Sequence, residues 1–400
     1  MDKARPQSWF MLGLAWLIAF SLNSALLSVP PLFGLIQQEL GVSFTELSLL
    51  LSLVFVVIVL LAIPGGILAD TLGVRKTVGI AIALVSVGSL LRSTPQDFQT
   101  LLGFSALFAV GYALTLPNLP KLVSQWFPRR LAGTATGIYL TGFPIGATTG
   151  LALSFTLNTI FDSWRTVLGI WGTIGLIVAV SWWLLAARTP QVDTHDSPRL
   201  TSNALRRVLQ MPSIWMVTAI NFFQNFIFFI QTGWLPSFYA DKGVDAALAG
   251  VLVSTLTIAN ILGVFLASTA SDKLGLRRPI LWSFSLVSAL AAYLLIPSPA
   301  EFGWVLMPIL GLTQAAGFVF IFLLPVELVK PSEVGSATGI ILSVGSVGAI
   351  LGPLLTGYLR DVTGSFEMIP LLLIFGSLGI VAFAFAVPET GHKRRATIRA

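Results

Sequence analysis

The chain has 400 residues, of which 55% are hydrophobic and 10% charged, with a formal net charge of +6 and no cysteine. A soluble protein carries about 25% charged residues, so this chain has too few to cover a water-facing surface. The lack of cysteine excludes thiol and disulfide chemistry.

Twelve apolar runs follow one another, at 8–30, 46–69, 76–94, 99–124, 132–160, 164–187, 212–239, 245–271, 278–297, 301–328, 334–360 and 365–388. A membrane-spanning helix needs roughly 20 mostly apolar residues, so each run is read as one span. The first, from Trp9 on, has no small-residue cleavage site after it and is read as a retained helix. Gly, Pro or a few charges mark most junctions, and the 36 Gly and 22 Pro are tolerated better in membrane helices than in soluble ones. The longest polar stretch, Arg188 to Met211, divides the chain. This predicts an N-terminal six-helix bundle over 1–187, a cytoplasmic linker over 188–211, and a C-terminal six-helix bundle with a short cytoplasmic tail over 212–400.

With the N-terminus in the cytoplasm, 19 of the 23 Lys and Arg fall on the cytoplasmic side; Arg92, Arg165, Lys242 and Arg360 fall on the other. This positive-inside bias predicts a multi-pass protein of the cell (inner) membrane with both termini cytoplasmic. It also accounts for the basic charge without nucleic acid as a partner.

A shift of 202 residues places Asn23 on Asn225, Gly41-Val42 on Gly243-Val244, Asp70 on Asp272, Gly73 on Gly275 and Arg75 on Arg277. It also puts Gly133-Thr-Ala-Thr-Gly-Ile on Gly335-Ser-Ala-Thr-Gly-Ile. One offset held over so many loop positions indicates a duplicated six-helix unit. Two halves of like topology are what a rocking transporter needs.

The segment Gly66-Ile-Leu-Ala-Asp70-Thr-Leu-Gly73-Val-Arg75-Lys76 resembles the loop between helices 2 and 3 of the major facilitator superfamily. Ser268-Thr-Ala-Ser-Asp272-Lys-Leu-Gly275-Leu-Arg277-Arg278 is similar to its partner between helices 8 and 9. Thr71 and Val74 stand at two positions that are usually basic, which Lys273 partly makes good in the second copy. The resemblance spans essentially the whole chain and implies an all-α membrane protein, with twelve transmembrane helices in two pseudo-symmetric six-helix bundles.

Within the superfamily the chain is most similar to the cyanate and nitroimidazole permease-like group. That likeness rests on Ser21-Leu-Asn23-Ser-Ala with Val29-Pro30-Pro31-Leu, and on Gly233-Trp234-Leu235-Pro236 with Tyr239. Ser24 follows Asn23 in a region where those permeases carry arginine, which weighs against small inorganic anions. Helices 2 and 8 lack the arginines expected of a nitrate or nitrite transporter.

Asp70 should end helix 2, where the helix dipole is already negative, so it needs a partner. The expected partners are the free N–H groups near Gly335, Ser336 and Ala337, with Arg129 or Arg130. Asp272 would face the start of helix 5 near Gly133. The resemblance implies that these residues, with Arg75 and Arg277, form a cytoplasmic gate; the competing reading is that the loops merely obey the charge rule.

The resemblance also implies that helices 1, 4, 7 and 10 line a central cavity. Their polar residues are Asn23, with Ser21 and Ser24; Thr115, Asn118 and Lys121; Asn221, Gln224, Asn225, Gln231 and Thr232; and Gln314 and Glu327. A polar stripe on an apolar helix avoids lipid because an unpaired amide there is costly. The substrate-contacting candidates are Asn23, Asn118, Lys121, Gln224, Asn225, Gln231, Trp234 and Gln314, and interhelical hydrogen bonding is the plainer use of such amides. Lys121 is read either as an anion ligand or as a side chain snorkelling to the surface. Trp234 is read either as a stacking face for substrate or as an interface anchor. Glu327 is a candidate for proton coupling.

The function expected is a secondary active or facilitative transporter of a small organic solute, anions included, working by alternating access. Protons are a candidate coupling ion and a monomer is expected. Efflux of small hydrophobic compounds is the alternative, and a transporter-like ligand sensor a remoter one. No cofactor, metal or enzymatic activity is expected. Direct ATP use is unsupported because no Gly-x-x-x-x-Gly-Lys-Ser/Thr loop occurs.

Overall fold

The computed structural model describes residues 6–187, 202–330 and 333–391. Twelve helical rods follow one another: α1 (Pro6–Leu40), α2 (Phe44–Leu72), α3 (Val74–Leu91), α4 (Phe98–Trp126), α5 (Arg130–Phe161), α6 (Trp164–Leu185), α7 (Pro212–Asp241), α8 (Ala246–Leu274), α9 (Arg278–Leu294), α10 (Ala300–Leu328), α11 (Val334–Thr363) and α12 (Met368–Ala386). Among the described residues, eleven are long and apolar enough to cross a membrane, and α9 is a shorter apolar helix. The fold is therefore the twelve-helix, all-α membrane architecture expected from the sequence. The polar stretch between the bundles is not all coil, since Ser202–Leu209 forms a further short helix. Residues 188–201, His195 and the tail from His392 lie outside the described residues.

Helix ends and breaks follow local chemistry. A capping box starts α2: Glu46 N donates to Ser43 Oγ at 3.1 Å, and Ser43 N donates to Glu46 Oε2 at 2.8 Å. Asp97 caps α4 by accepting from Thr100 N at 2.8 Å, and its bonds from Thr100 hold its carboxyl below the usual range. In α1 the ladder fails after Leu27 because Pro30 and Pro31 have no N–H to give. The chain makes a 3-10 turn at Pro30–Leu32 and resumes at Phe33. The helix α4 is broken between Thr115 and Asn118, around Pro117.

The chain gathers into two compact units, residues 1–194 with 245–254, and residues 195–244 with 255–400. The 202-residue repeat is visible in how each unit packs. In the first, α5 lies directly on α1, and a Cβ at Gly146 would strike the carbonyl of Phe20. In the second, α11 lies on α7, and a Cβ at Gly348 would strike the carbonyl of Phe222. Gly146 and Gly348 are one repeat apart, as are Phe20 and Phe222. Gly150 against Ser24 O and Gly352 against Phe226 O, each at 2.6 Å from the added Cβ, repeat the arrangement one turn on. Small residues let membrane helices approach this closely.

Gly348→Ala is expected to lower the thermal midpoint of the detergent-purified protein, by the roughly 1–3 kcal/mol typical of overpacking. Gly335→Ala, whose Cβ would meet nothing within 4 Å, should leave it unchanged. Equal midpoints for the two variants would contradict the packing.

Candidate functional site

In the first unit, Asn23 sits at the centre of a three-helix junction. Its Nδ2 donates to Phe143 O of α5 at 3.2 Å, and Tyr112 Oη of α4 donates to its Oδ1 at 2.7 Å. Asn118, fully buried, donates from Nδ2 to Gly65 O of α2 at 3.1 Å and to Leu114 O at 2.7 Å. Its Oδ1 has no partner.

Two residues decide what Lys121 does. Gly65 and Gly66 remove side chains from the α2 face opposite it, and a Cβ at Gly65 would already lie 3.0 Å from Leu114. The ammonium therefore reaches α2, donating to Gly66 O at 2.8 Å and pairing with Asp70 Oδ1 at 2.6 Å. Asp70 thus has a partner inside its own bundle, Lys121 on α4, which the sequence reading did not name. Arg130 is exposed at the start of α5, and the side chain of Arg129 lies outside the described residues.

In the second unit, the polar stripe of α7 is mostly used to hold neighbours. Asn221 Nδ2 donates to Ile341 O at 2.8 Å, and Asn225 Nδ2 to Asn221 Oδ1 at 3.0 Å and Gly345 O at 3.3 Å. Gln224 Nε2 donates to Gln314 O of α10 at 2.9 Å. Asn23 on Phe143 O and Asn225 on Gly345 O are again the same bond one repeat apart. Two amides differ. Gln231 and Gln314 are buried, yet neither the nitrogen nor the oxygen of either amide has a hydrogen-bond partner. Trp234 is fully buried, donates to Pro353 O at 3.1 Å and packs on Phe366, with ring centroids 5.4 Å apart. It is pinned inside the unit, with no exposed face.

The two conserved-offset loops have diverged. Arg75 Nε donates to Ala186 O at 2.7 Å and Nη2 to Trp183 O at 3.3 Å, placing a cation at the negative C-terminal end of α6. In the second unit that task falls to Arg278, which donates to Ala384 O and Phe385 O at the end of α12. Arg277 is freed for a charge cluster with Asp272 at 2.7 Å and Glu327 at 3.1 Å. Burial opposes the charge of Arg277, but its hydrogen bonds to Asp272 and Glu327 prevail and hold its pKa above the ordinary value. Glu389 accepts from Arg277 N at 2.8 Å and Arg278 N at 3.0 Å, and Thr390 Oγ1 donates to Glu327. Glu327 is thus engaged at the loop.

Sequence reasoning missed Tyr112, the partner of Asn23, although the 202-residue offset places it on Gln314. It also missed the return of Glu389 and Thr390 to the loop before α9, which no local pattern announces. Two surface clefts of the first unit, one beside Ser93, Arg165 and Thr173 and one beside Gln38, Glu39 and Asp162, contain none of the expected substrate residues.

With two packed six-helix units and their repeated loops established, the comparison with known families is decisive. The family model described as Major Facilitator Superfamily matches residues 10–353 and again 239–400. The chain belongs to this superfamily. Its curated relatives include the cyanate transport protein of Escherichia coli, 25% identical over 90% of this chain and 92% of the relative. The 2-nitroimidazole transporter of the same organism is 26% identical over 89% of each chain. The hexuronate transporter of Bacillus subtilis is 26% identical over 93% of each chain. Among solved structures, a bacterial homologue of the human lysosomal transporter Spinster matches with a TM-score of 0.78 and 18% identity, covering 96% of this chain and 95% of its own. The chain is therefore a multi-pass membrane transporter of the superfamily, similar to the cyanate and nitroimidazole proteins as the helix 1 and helix 7 residues suggested.

Proposed function

We propose that the protein carries a small organic anion across the cytoplasmic (inner) membrane by alternating access. In this reading it works as a monomer, with both termini cytoplasmic, and is driven by a proton gradient or by the gradient of the solute itself. Its two halves are the bundles before and after the 188–211 linker, and the contacting residues come from α1, α4, α7 and α10. The observation that carries the reading is the pair of unpartnered amides, Gln231 and Gln314. Leaving a buried polar group unsatisfied costs about 1–3 kcal/mol, and a polar solute arriving beside them would recover that cost. An amide offers N–H donors to a carboxylate and an acceptor to a hydroxyl, which suits an oxygen-rich organic anion. The names of the cyanate and hexuronate relatives support the anionic class. In the second unit Gln224 and Asn225 would hold α7, which presents Gln231, against α10 and α11; Asn23, held by Tyr112, would be the first unit's contact with the solute. Asp70, Asp272 and the basic residues of their loops would act at the cytoplasmic gate.

The test is counterflow in proteoliposomes with cyanate, glucuronate, 3-phenylpropionate and 2-nitroimidazole. Saturable exchange of an anion is expected, with KM raised about tenfold in Gln231→Leu or Gln314→Leu, the value of one lost hydrogen bond to a charged group. Exchange of 2-nitroimidazole alone would overturn the anionic class.

A further inference from the structure

Arg92, one of four basic residues on the non-cytoplasmic side by the charge count, is 1% exposed. It follows α3 directly, and its side chain runs inward between α1 and α4. Nε donates to Ser105 Oγ of α4 at 3.0 Å, Nη1 donates to Ala25 O of α1 at 3.4 Å, and Nη2 has no partner. The guanidinium carbon lies 4.1 Å from the centre of the Phe108 ring. Every group that meets it is neutral, and no carboxylate pairs with it among the described residues. Buried charges are ordinarily paired, and arginine keeps its charge when buried.

The surroundings connect this cation to the candidate site. Phe108 packs on Tyr112, with ring centroids 5.9 Å apart, and Tyr112 donates to Asn23 at 2.7 Å. Ala25, whose carbonyl the guanidinium touches, is two residues from Asn23. Arg92 therefore stands one layer of side chains behind the Asn23–Tyr112 pair. A structural role is available to it, since it donates to a carbonyl near the end of the first segment of α1. The repeat shows that the architecture does not require a cation at this place. One repeat on, Arg92, Ser105 and Phe108 become Leu294, Met307 and Leu310, and the second bundle is built with apolar side chains there.

We infer that Arg92 is a specificity-determining positioning residue. Its uncompensated charge, one layer behind Asn23 and Tyr112, selects a carboxylate-bearing solute over its neutral counterpart. This rests on the proposal that the first unit contributes Asn23 to a solute site. A unit charge about 10 Å away in an effective dielectric near 20 changes an anion's affinity by about tenfold. It changes that of an uncharged molecule of the same shape far less.

The experiment compares counterflow of two carboxylates, glucuronate and 3-phenylpropionate, with their carboxamides, glucuronamide and 3-phenylpropanamide. For Arg92→Gln, KM for the carboxylate should rise about tenfold while KM for the carboxamide stays within twofold. Arg92→Lys should retain most of the wild-type preference. If Arg92→Gln does not reach the membrane folded, Ser105→Asp carries the test: it leaves Arg92 in place and pairs its charge, and should produce the same selective loss. Equal changes for acid and amide, or no change in either variant, would overturn the inference while leaving the transport reading intact. Wild-type protein that exchanges amides and no carboxylate would overturn the anionic reading first, and this inference with it.

Discussion

Replacing Arg277 by Met is expected to destabilise the second unit by about 3 kcal/mol, the low end of the cost of breaking a buried ion pair from one side. The guanidinium is 6% exposed and Glu327 is 14% exposed, so removing the cation strands a carboxylate that water reaches poorly. Asp272, at 70%, stays solvated and loses little. Glu389 accepts from the backbone N–H groups of Arg277 and Arg278 and ties the segment after α12 to the start of α9; these bonds survive the substitution, so the loss measures the side-chain pair. The paired variant Arg277→Met/Glu327→Met should recover most of the stability, since two apolar side chains in place of a buried ion pair are often neutral or better. Thermal unfolding of the four proteins in detergent measures the coupling. Additive losses in the double variant would mean that Glu327 is adequately solvated and that the pair contributes nothing to holding this end of the unit.

The architecture was legible because its signals are local or periodic. Apolar runs mark the rods, and a constant offset marks the duplication. The Gly146–Phe20 and Gly348–Phe222 contacts show that the offset survives in packing as well as in loops. What each polar side chain does was not legible, because its partner lies about 50 to 120 residues away. Asn225 could have faced a cavity or a carbonyl, and the choice is made by Gly345 on α11. Lys121 is an anion ligand or a snorkelling side chain on sequence grounds, and neither reading contains its contact with α2, where Gly65 and Gly66 leave it room to reach Gly66 O. Arg75 and Arg277 have one place in the repeat and different employment, because α6 presents its terminal carbonyls to Arg75 while α12 presents its own to Arg278. The charge count places Arg92 on the non-cytoplasmic side, at the end of the 76–94 run, and says nothing of where its side chain points. That side chain turns into the bundle.

Asp70→Asn is expected to reduce transport at least tenfold while leaving the protein folded in the membrane, and Lys121→Ala should do the same. The magnitudes separate gate from scaffold. The Asp70–Lys121 pair is short, at 2.6 Å, but its side chains are 68% and 35% exposed. An ion pair that wet contributes about 1 kcal/mol or less to stability, so neither variant should shift the thermal midpoint by more than a few degrees. A tenfold loss of transport without a loss of stability then has to come from the transport cycle, as it would if α2 and α4 must stay joined at Gly66 and Asp70 in one state and part in another. The reversed pair Asp70→Lys/Lys121→Asp separates this from a direct role of Lys121 in holding the anion. Restored exchange with unchanged KM would assign the pair to the gate, because the attraction survives reversal. A reversed pair that stays inactive, with glucuronate no longer stabilising the protein against heat, would return Lys121 to the solute. Full activity in Asp70→Asn would remove the carboxylate from the cycle altogether.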